Sequence, residues 1–540
     1  MNKTNAGGVF VFLVLVLAVE AGLSLARGAL FVGKHEGDML HLLEITFRMA
    51  DGEWPHLDFA TPIGVLAFAP IALFVKMGSG IGHAILYAQV LVGAALVPLA
   101  WRAGISRLTG WWPYVFGAVV IVLATALVHG EAEQSVSMSM HYNRWSWAAA
   151  FLALLIAVLP PVESRRNQVA DGIVVGLALA FMALCKITFF AAFVIPVVLG
   201  LLAHHQRKTL WVGLLTGLAV ALLVTVLAGP AFWLAYMRDL LWVAGSPVRA
   251  APGAGFGSVV SAPAYLGGSL VALIGVVLLR QAGKAAEGMV LLFLVPGFFY
   301  VTYQNFGNDP QWLLLLGIIL FAARPSKDVK GSHGWDMHNA VGLAGAAAFA
   351  MTLPSAFNLT YSPLRHIGQD ESLFAPMLPR SQLHSDLKTA KIRSYRANMR
   401  MPMDEVSEGM AHHAEMVERD PVGEVNGEEM QACEILLGLP AWLDSIAQEL
   451  ESAGYSGTRI LWADLFSSIW LYGDFKRLEN GAPWYYGGLP GIDSADYVLV
   501  PHCPVVPKMR RLVLEAMETR GIKLNEVHRT PLFILFEKGE

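Results

Sequence analysis

The stretch HEGDMLHLLEITFRMADGEWPHLDFATPIG, residues 35–64, gathers Glu36, Asp38, Glu44, Asp51, Glu53 and Asp58 with three histidines and one arginine. A carboxylate in a wet loop can take a proton from a hydroxyl or an amine. Several together can hold a divalent cation such as Mg or Mn. Asp38 serves equally as the cap of a helix, with Glu36 solvated beside it. Asp58 is either a supporting acid or metal ligand, or the end of a turn before Thr61-Pro62. His41 and His56 do not have a spacing that specifies zinc. Two cations stand out elsewhere. Lys186 interrupts an apolar run in ALCKITFF, where a charge costs roughly 2.5–3.5 kcal/mol at mid-membrane. It therefore either snorkels to the surface or binds an anion. Asn143 and Arg144 open an apolar run in MHYNRWSW. The guanidinium fork suits phosphate, and the alternative is pairing with Glu131 or Glu133.

These residues must be positioned by a greasy chain. Of 540 residues, 55% are hydrophobic and 15% charged, and the mean hydropathy is +0.52; soluble domains carry about 25% charged residues. The deficit is confined to residues 1–355, so the expected architecture is a polytopic α-helical membrane domain, 1–355, followed by a soluble domain, 356–540. The net charge of −4 excludes a broad basic surface for nucleic acid. The first apolar run is too long for a signal peptide and lacks a clear small-residue cleavage site.

Spans are expected at 8–32, 82–101, 112–128, 144–160, 169–184, 187–203, 210–228, 262–280, 286–303, 311–323 and 338–355, about eleven in all. With the N-terminus in the cytoplasm and 62–76 lying in the interface, Arg102 and Arg107, Arg165 and Arg166, Arg207 and Lys208, Arg280 and Lys284, and Arg324, Lys327 and Lys330 fall on one side. The positive-inside rule selects that arrangement. It puts 33–81, 129–143, 229–261, 303–310 and the soluble domain outside. Glu20, inside the first span, needs a polar partner.

The opening stretch then acquires a shape. At 100° per residue, Met39, Leu40, Leu42, Leu43, Phe47 and Ala50 share one face, and Asp38, His41, Glu44, Arg48 and Asp51 the other. This predicts an amphipathic helix on the membrane surface, ended by GEWP, with 62–76 as a second interfacial helix. Tyr142, Trp145 and Trp147 read as an interfacial aromatic belt.

In the soluble part, residues 360–430 are polar, with Pro, Met and His scattered among them. Beyond them EILLGLPAWLDSIAQELESAGY and PKMRRLVLEAMETRG predict helices, LFSSIWLYG a further helix, and TRILWAD, ADYVLVPH and PLFILFEK strands. The alternation predicts a small α/β domain. Cys433 and Cys503 can pair if that domain is exported. No glycine-rich phosphate loop occurs there, which argues against a bound nucleotide.

This layout resembles the GT-C glycosyltransferases, and within them the bacterial relatives of protein mannosyltransferases and aminoarabinose transferases. HEGDMLHLLE with GEWPHLDFATPIGVLAFAPIALFVKMG resembles the family's acidic first loop and its juxtamembrane helix. GLALAFMALCKITFFAAFVIPVVLGLLAHHQRK resembles its helix pair broken by a lysine. ADYVLVPH and TPLFILFEK resemble the strands of its external domain. The resemblance implies transfer of a sugar from a polyprenyl-phosphate donor to a glycan, lipid or protein acceptor outside the bacterial cytoplasmic membrane. It also implies Asp38 as general base. Family members often carry an adjacent acidic pair; here Gly37 separates Glu36 from Asp38, so both acids are candidates. Some members use a divalent cation and others do not. A phosphate leaving group needs little protonation, so the chemistry asks for a base and for cations to hold the phosphate. His56, Asp58, Asn143, Arg144 and Lys186 are candidate substrate contacts. In TYQNFGNDPQW, Asn305, Asn308, Asp309 and Gln311 can hydrogen-bond sugar hydroxyls or form an ordinary turn. Trp233, Tyr236, Arg238 and Asp239 give a weaker signal in another outer loop. Two other readings stand beside this one. A transporter or flippase should show internal repeats with mid-membrane charges, and no convincing repeat is seen. A non-catalytic assembly protein would keep the layout and bind a partner.

Overall fold

A computed structural model describes residues 4–130, 133–248, 255–304, 310–414, 416 and 420–539. Each run read as a span forms a helix. In chain order the helices of this part are α1 (Ala6–Leu25), α2 (Glu36–Ala50), α3 (Ala69–Lys76), α4 (Ile81–Arg107), α5 (Trp112–Thr125), α6 (His141–Val158), α7 (Gln168–Cys185), α8 (Ile187–Ala203), α9 (Arg207–Ala228), α10 (Ala231–Ala244), α11 (Phe256–Ser261), α12 (Pro263–Gln281), α13 (Ala285–Gln304), α14 (Trp312–Ala322) and α15 (Met337–Ile367). Among the described residues, α1, α4, α7, α9, α12, α13 and α15 are long and apolar enough to cross a membrane, and α5, α8 and α14 are shorter apolar helices. At eight residues α3 is about 12 Å long, far short of a ~30 Å bilayer.

α6 is the axis of the bundle. Every one of its residues except Tyr142 is buried, as expected for a helix apolar on all sides. α7 and α9 approach closely through small residues: a Cβ on Gly176 would lie 2.4 Å from the Gly213 carbonyl. Glu20 of α1 finds its polar neighbour on α5, where the Thr125 hydroxyl lies 3.5 Å from its carboxylate. At the opposite end of the bundle Asp171 takes Arg107 at 2.7 Å and Arg102 at 2.9 Å.

Several expectations are corrected. The first helix stops at Leu25, and Leu30–Val32 is a strand, β1, paired in parallel with Leu387–Ala390 (β3); β3 also pairs antiparallel with Phe374–Pro376 (β2). The last helix of the bundle does not end near 355 but continues to Ile367 through Pro354 and Pro363. The polar face of α2 does not lie in water: Glu44 is 0% and Arg48 2% exposed. The C-terminal part covers it. Ser468 donates to Glu44 at 3.0 Å, Arg48 donates to the Leu478 carbonyl and pairs with Glu53 at 2.9 Å, and Arg477 reaches Glu53 at 3.2 Å and also Asp51. The pattern of α2 thus fits a helix between two apolar and polar covers as well as one on a surface. Trp145 and Trp147 are core residues, 0% and 3% exposed, rather than a belt.

The C-terminal part holds a four-stranded sheet. Its order is Leu524–Arg529, Phe533–Lys538, Tyr497–Pro501, Ile460–Trp462, with only the last pair parallel. Helices Leu439–Ser452 and Pro507–Thr519 accompany it. The strand Leu524–Arg529 was not expected, since its alternation exposes mostly polar side chains. Glu434–Leu437, read as the start of a helix, is a strand paired with Asn398–Arg400. LFSSIWLYG forms only a 3-10 turn, Ser468–Leu471. Cys433 and Cys503 form a disulfide.

Candidate functional site

The first turn of α6 and the loop leading into it collect several of the candidate residues. Residues 126–130 and 133–140 are held from three directions. Gly33, just past β1, donates to the Val136 carbonyl at 2.9 Å, and Lys34 pairs with Glu133 at 3.1 Å. Ser362 of α15 accepts from Leu127 at 2.9 Å, and Asn358 donates to the Glu133 carbonyl at 2.7 Å. Gln311 donates to the Gly130 carbonyl at 3.2 Å, so it anchors this loop.

Asp38 meets that loop from the first turn of α2. Ser139 donates to its Oδ2 at 2.5 Å. His35, in the left-handed conformation at φ 69°, turns the chain into α2 and brings its Nδ1 to 2.8 Å from the Ser137 hydroxyl. Its ring lies 5.0 Å from that of His129, whose Nδ1 faces the Ser139 carbonyl at 3.2 Å. Burial lowers the His35 pKa, with the Asp38 charge opposing. Burial, reinforced by His35, pushes His129 down to about 4. Both imidazoles are therefore neutral near pH 7.

The two acids of the E-G-D motif face different ways. Glu36 takes Arg393 of the C-terminal part at 2.6 and 3.1 Å and is 6% exposed. Asp38 faces the α6 loop and keeps partial exposure. Gly37 separates them because Phe466 packs there: a Cβ would fall 2.8 Å from the ring.

Arg144 is 0% exposed. Its Nη1 donates to the Leu123 carbonyl at 3.2 Å, while Nε and Nη2 have no hydrogen-bond partner. Burying unpaired donors on a cation is costly. Glu131, one of the partners weighed for it, lies outside the described residues. Asn143 leans its amide nitrogen on the Met140 sulfur at 3.5 Å, and its Oδ1 has no partner. Lys186 is the extended residue at which α7 stops and α8 begins. It is 6% exposed, and its Nζ lies 5.1 Å from the Tyr142 ring centroid. The segment between α2 and α3 is laid onto this break: Gly64 donates to the Cys185 carbonyl at 3.2 Å, and His141 bonds the Ala67 carbonyl at 2.8 Å. Asn143 and Arg144 thus stand on the first turn of α6, Lys186 lies against Tyr142 of that turn, and Asp38 meets the loop that leads into it.

His56 and Asp58 are placed elsewhere. His56 is fully buried, stacked on Tyr236 at 4.4 Å, with Nδ1 3.0 Å from Asp239. Asp239 also accepts from the Thr61 amide at 3.1 Å and from Arg238 at 2.9 Å, and Arg238 donates to the His56 carbonyl at 2.8 Å. This clasp ties the segment between α2 and α3 to α10. Asp58 is exposed and accepts from the Trp54 amide at 2.6 Å, a turn-closing bond. Asn305, Asn308 and Asp309 lie outside the described residues. Sequence reasoning missed Ser139 and His129 in the loop that Asp38 meets; serine and histidine in a polar loop carry no spacing that points to a carboxylate about a hundred residues away.

Among the described residues, no group of three or more His, Cys, Asp or Glu is arranged to hold a metal ion. Glu36 and Asp58, the acids that would join Asp38 around a divalent cation, are turned to Arg393 and to the Trp54 amide. This donor set does not fit a carboxylate-held ion.

No family model and no curated protein matches the chain. A solved structure described as archaeal oligosaccharyltransferase AglB from Archaeoglobus fulgidus, in complex with an inhibitory peptide and a dolichol-phosphate, is similar to it. The TM-score is 0.39 and the identity 11%, over 91% of this chain and 69% of that one.

Proposed function

We propose that the chain is a membrane glycosyltransferase. It takes a sugar from a polyprenyl-phosphate donor and passes it to a glycan, lipid or protein acceptor on the outer side of a bacterial cytoplasmic membrane. The observations that carry this reading are a carboxylate oriented by Ser139 of the loop leading into α6, and a buried guanidinium with two unpartnered donors on the first turn of that helix. The carboxylate of Asp38, held by Ser139, takes the acceptor's proton as its oxygen or nitrogen attacks the anomeric carbon. The bond from that carbon to the phosphate oxygen breaks. The phosphate leaves as a stable anion, and Arg144, with Lys186 at the neighbouring helix break, holds its charge. The disulfide Cys433–Cys503 supports an extracytoplasmic C-terminal part, because disulfides persist in oxidising compartments.

The test is release of polyprenyl phosphate by the purified full chain, assayed with a panel of polyprenyl-phosphate sugars and mixed acceptors. Donor-dependent release with appearance of a glycosylated acceptor is expected. Absence of release with every donor, alongside lipid movement across proteoliposomes, would replace this reading with the flippase.

A further inference from the structure

The segment MRMPMDEVSEGMAHHAEM, residues 399–416, places five methionines in eighteen residues, whereas the whole chain has 20 in 540. Packing does not explain them. Methionine is normally a core residue, yet Met399, Met403 and Met416 are 60%, 66% and 81% exposed. Three of them reach one cavity of the C-terminal part instead. Met399 stands on the strand Asn398–Arg400, and Met401 follows just beyond its end. Met410 and His413 are three apart on the short helix Glu408–Ala414 and share a face. Met401, Met403, Met410, Met430 and His413 line one solvent-open cavity of the C-terminal part. Met399 adds a sixth soft donor at the edge, its sulfur 3.6 Å from Cys503.

We infer that this cavity is a binding site for a soft monovalent cation, Cu(I) or Ag(I). Neutral, polarisable thioethers and imidazole favour such ions, while Zn, Mg and Ca prefer thiolate or oxygen donors. The cysteines beside the cavity are joined in a disulfide and cannot supply thiolate. In an oxidising compartment methionine and histidine are the soft ligands that remain. Asp404, Glu405, Asp420, Glu429 and Glu434 also line it, with Arg400 paired to Glu434; among the described residues no three of the acids and histidines are arranged to hold a hard ion, and their net negative field draws in a cation. This site is separate from the one built on α6 and does not depend on the glycosyltransferase reading.

The test is equilibrium dialysis of the full chain in detergent against Ag(I), and against Cu(I) kept reduced by ascorbate with a competing chromophoric chelator. A Cys185→Ala background removes the one free thiol among the described residues. We expect one ion per chain, with affinity falling at least 100-fold in the combined Met401→Leu, Met403→Leu and Met410→Leu variant, and no comparable binding of Zn²⁺. Leucine conserves volume at these positions, so folding should persist. NMR of ¹³C-methyl methionine gives a second readout: Ag(I) should shift the methyl signals that vanish in the triple variant. Equal retention by wild type and triple variant, or shifts confined to other methionines, would overturn the site. So would a cavity that takes a peptide while Ag(I) leaves its methyl signals unmoved.

Discussion

Replacing Gly64 by alanine tests how the segment between α2 and α3 positions the site. A Cβ at Gly64 would lie 2.1 Å from the Leu184 carbonyl oxygen and 2.4 Å from its carbon, both backbone atoms at the end of α7. Real methyl groups do not approach closer than 3.0 Å, so the loop must retreat from the helix break by roughly 0.9 Å. Overpacking of this kind costs about 1–3 kcal/mol. The functional effect should be larger. The same break presents Lys186, and the same loop holds His141 at the start of α6. A misplacement near 1 Å can cost about 10²-fold in rate. Gly22→Ala is the control: a Cβ there meets nothing within 4 Å, so helix propensity alone acts, and stability should rise by up to about 1 kcal/mol. The assay is kcat/KM for sugar transfer beside thermal unfolding in the same detergent. Gly64→Ala should lose about 10²-fold in kcat/KM and Gly22→Ala nothing. A fully active Gly64→Ala protein, or equal losses in both, would refute the claim that loop seating on the α7–α8 break organises the site.

Other outcomes follow from the same geometry. Arg144→Met removes a buried cation with two unpaired donors, so thermal stability should hold or rise by about 1–3 kcal/mol while donor binding weakens; a variant equally active and no more stable would contradict the anion assignment. Asp239→Ala strips the partner from the buried His56 ring and Thr61 amide and from the exposed Arg238, and should cost about 1–3 kcal/mol, with faster proteolysis in residues 54–61 as its marker. His129 sits near 4 in the folded state against 6.5 when free. A histidine lowered by folding stabilises the fold fully above its free value, and that contribution drains as pH falls from 6.5 to 4, by roughly 3 kcal/mol. Denaturant unfolding should show this slope, and His129→Gln should flatten it.

Much of the architecture was legible because apolar runs are long-range statements about burial. Each predicted span coincides with a helix, and the short α3 is where an interfacial helix was expected. The errors sit where two covers compete. The polar face of α2 reads as a water-facing surface, yet Glu44 and Arg48 are buried under the C-terminal part because Ser468, the Leu478 carbonyl and Glu53 satisfy them. Period alone cannot tell water from a satisfied polar interface. β1 was absorbed into the first span because Leu30–Val32 is apolar, and its partner strand lies more than 350 residues away. At the site, Asp38, Asn143, Arg144 and Lys186 could be singled out by charge against an apolar background. Ser139 and His129 could not, since only tertiary contact brings their loop to Asp38. The difference between Glu36 and Asp38 was likewise hidden: it depends on Arg393 and on Phe466 packing over Gly37.

The central claim is that Asp38 takes the acceptor's proton. Single-turnover transfer from a pre-bound polyprenyl-phosphate sugar, compared between wild type, Asp38→Asn and Glu36→Gln, tests it most directly. The account predicts unchanged donor affinity and a drop of about 10²–10⁴-fold in the chemical step for Asp38→Asn. Glu36→Gln should chiefly loosen the Arg393 tether. A folded Asp38→Asn protein that transfers sugar at the wild-type rate, with the loss appearing in Glu36→Gln, would contradict it.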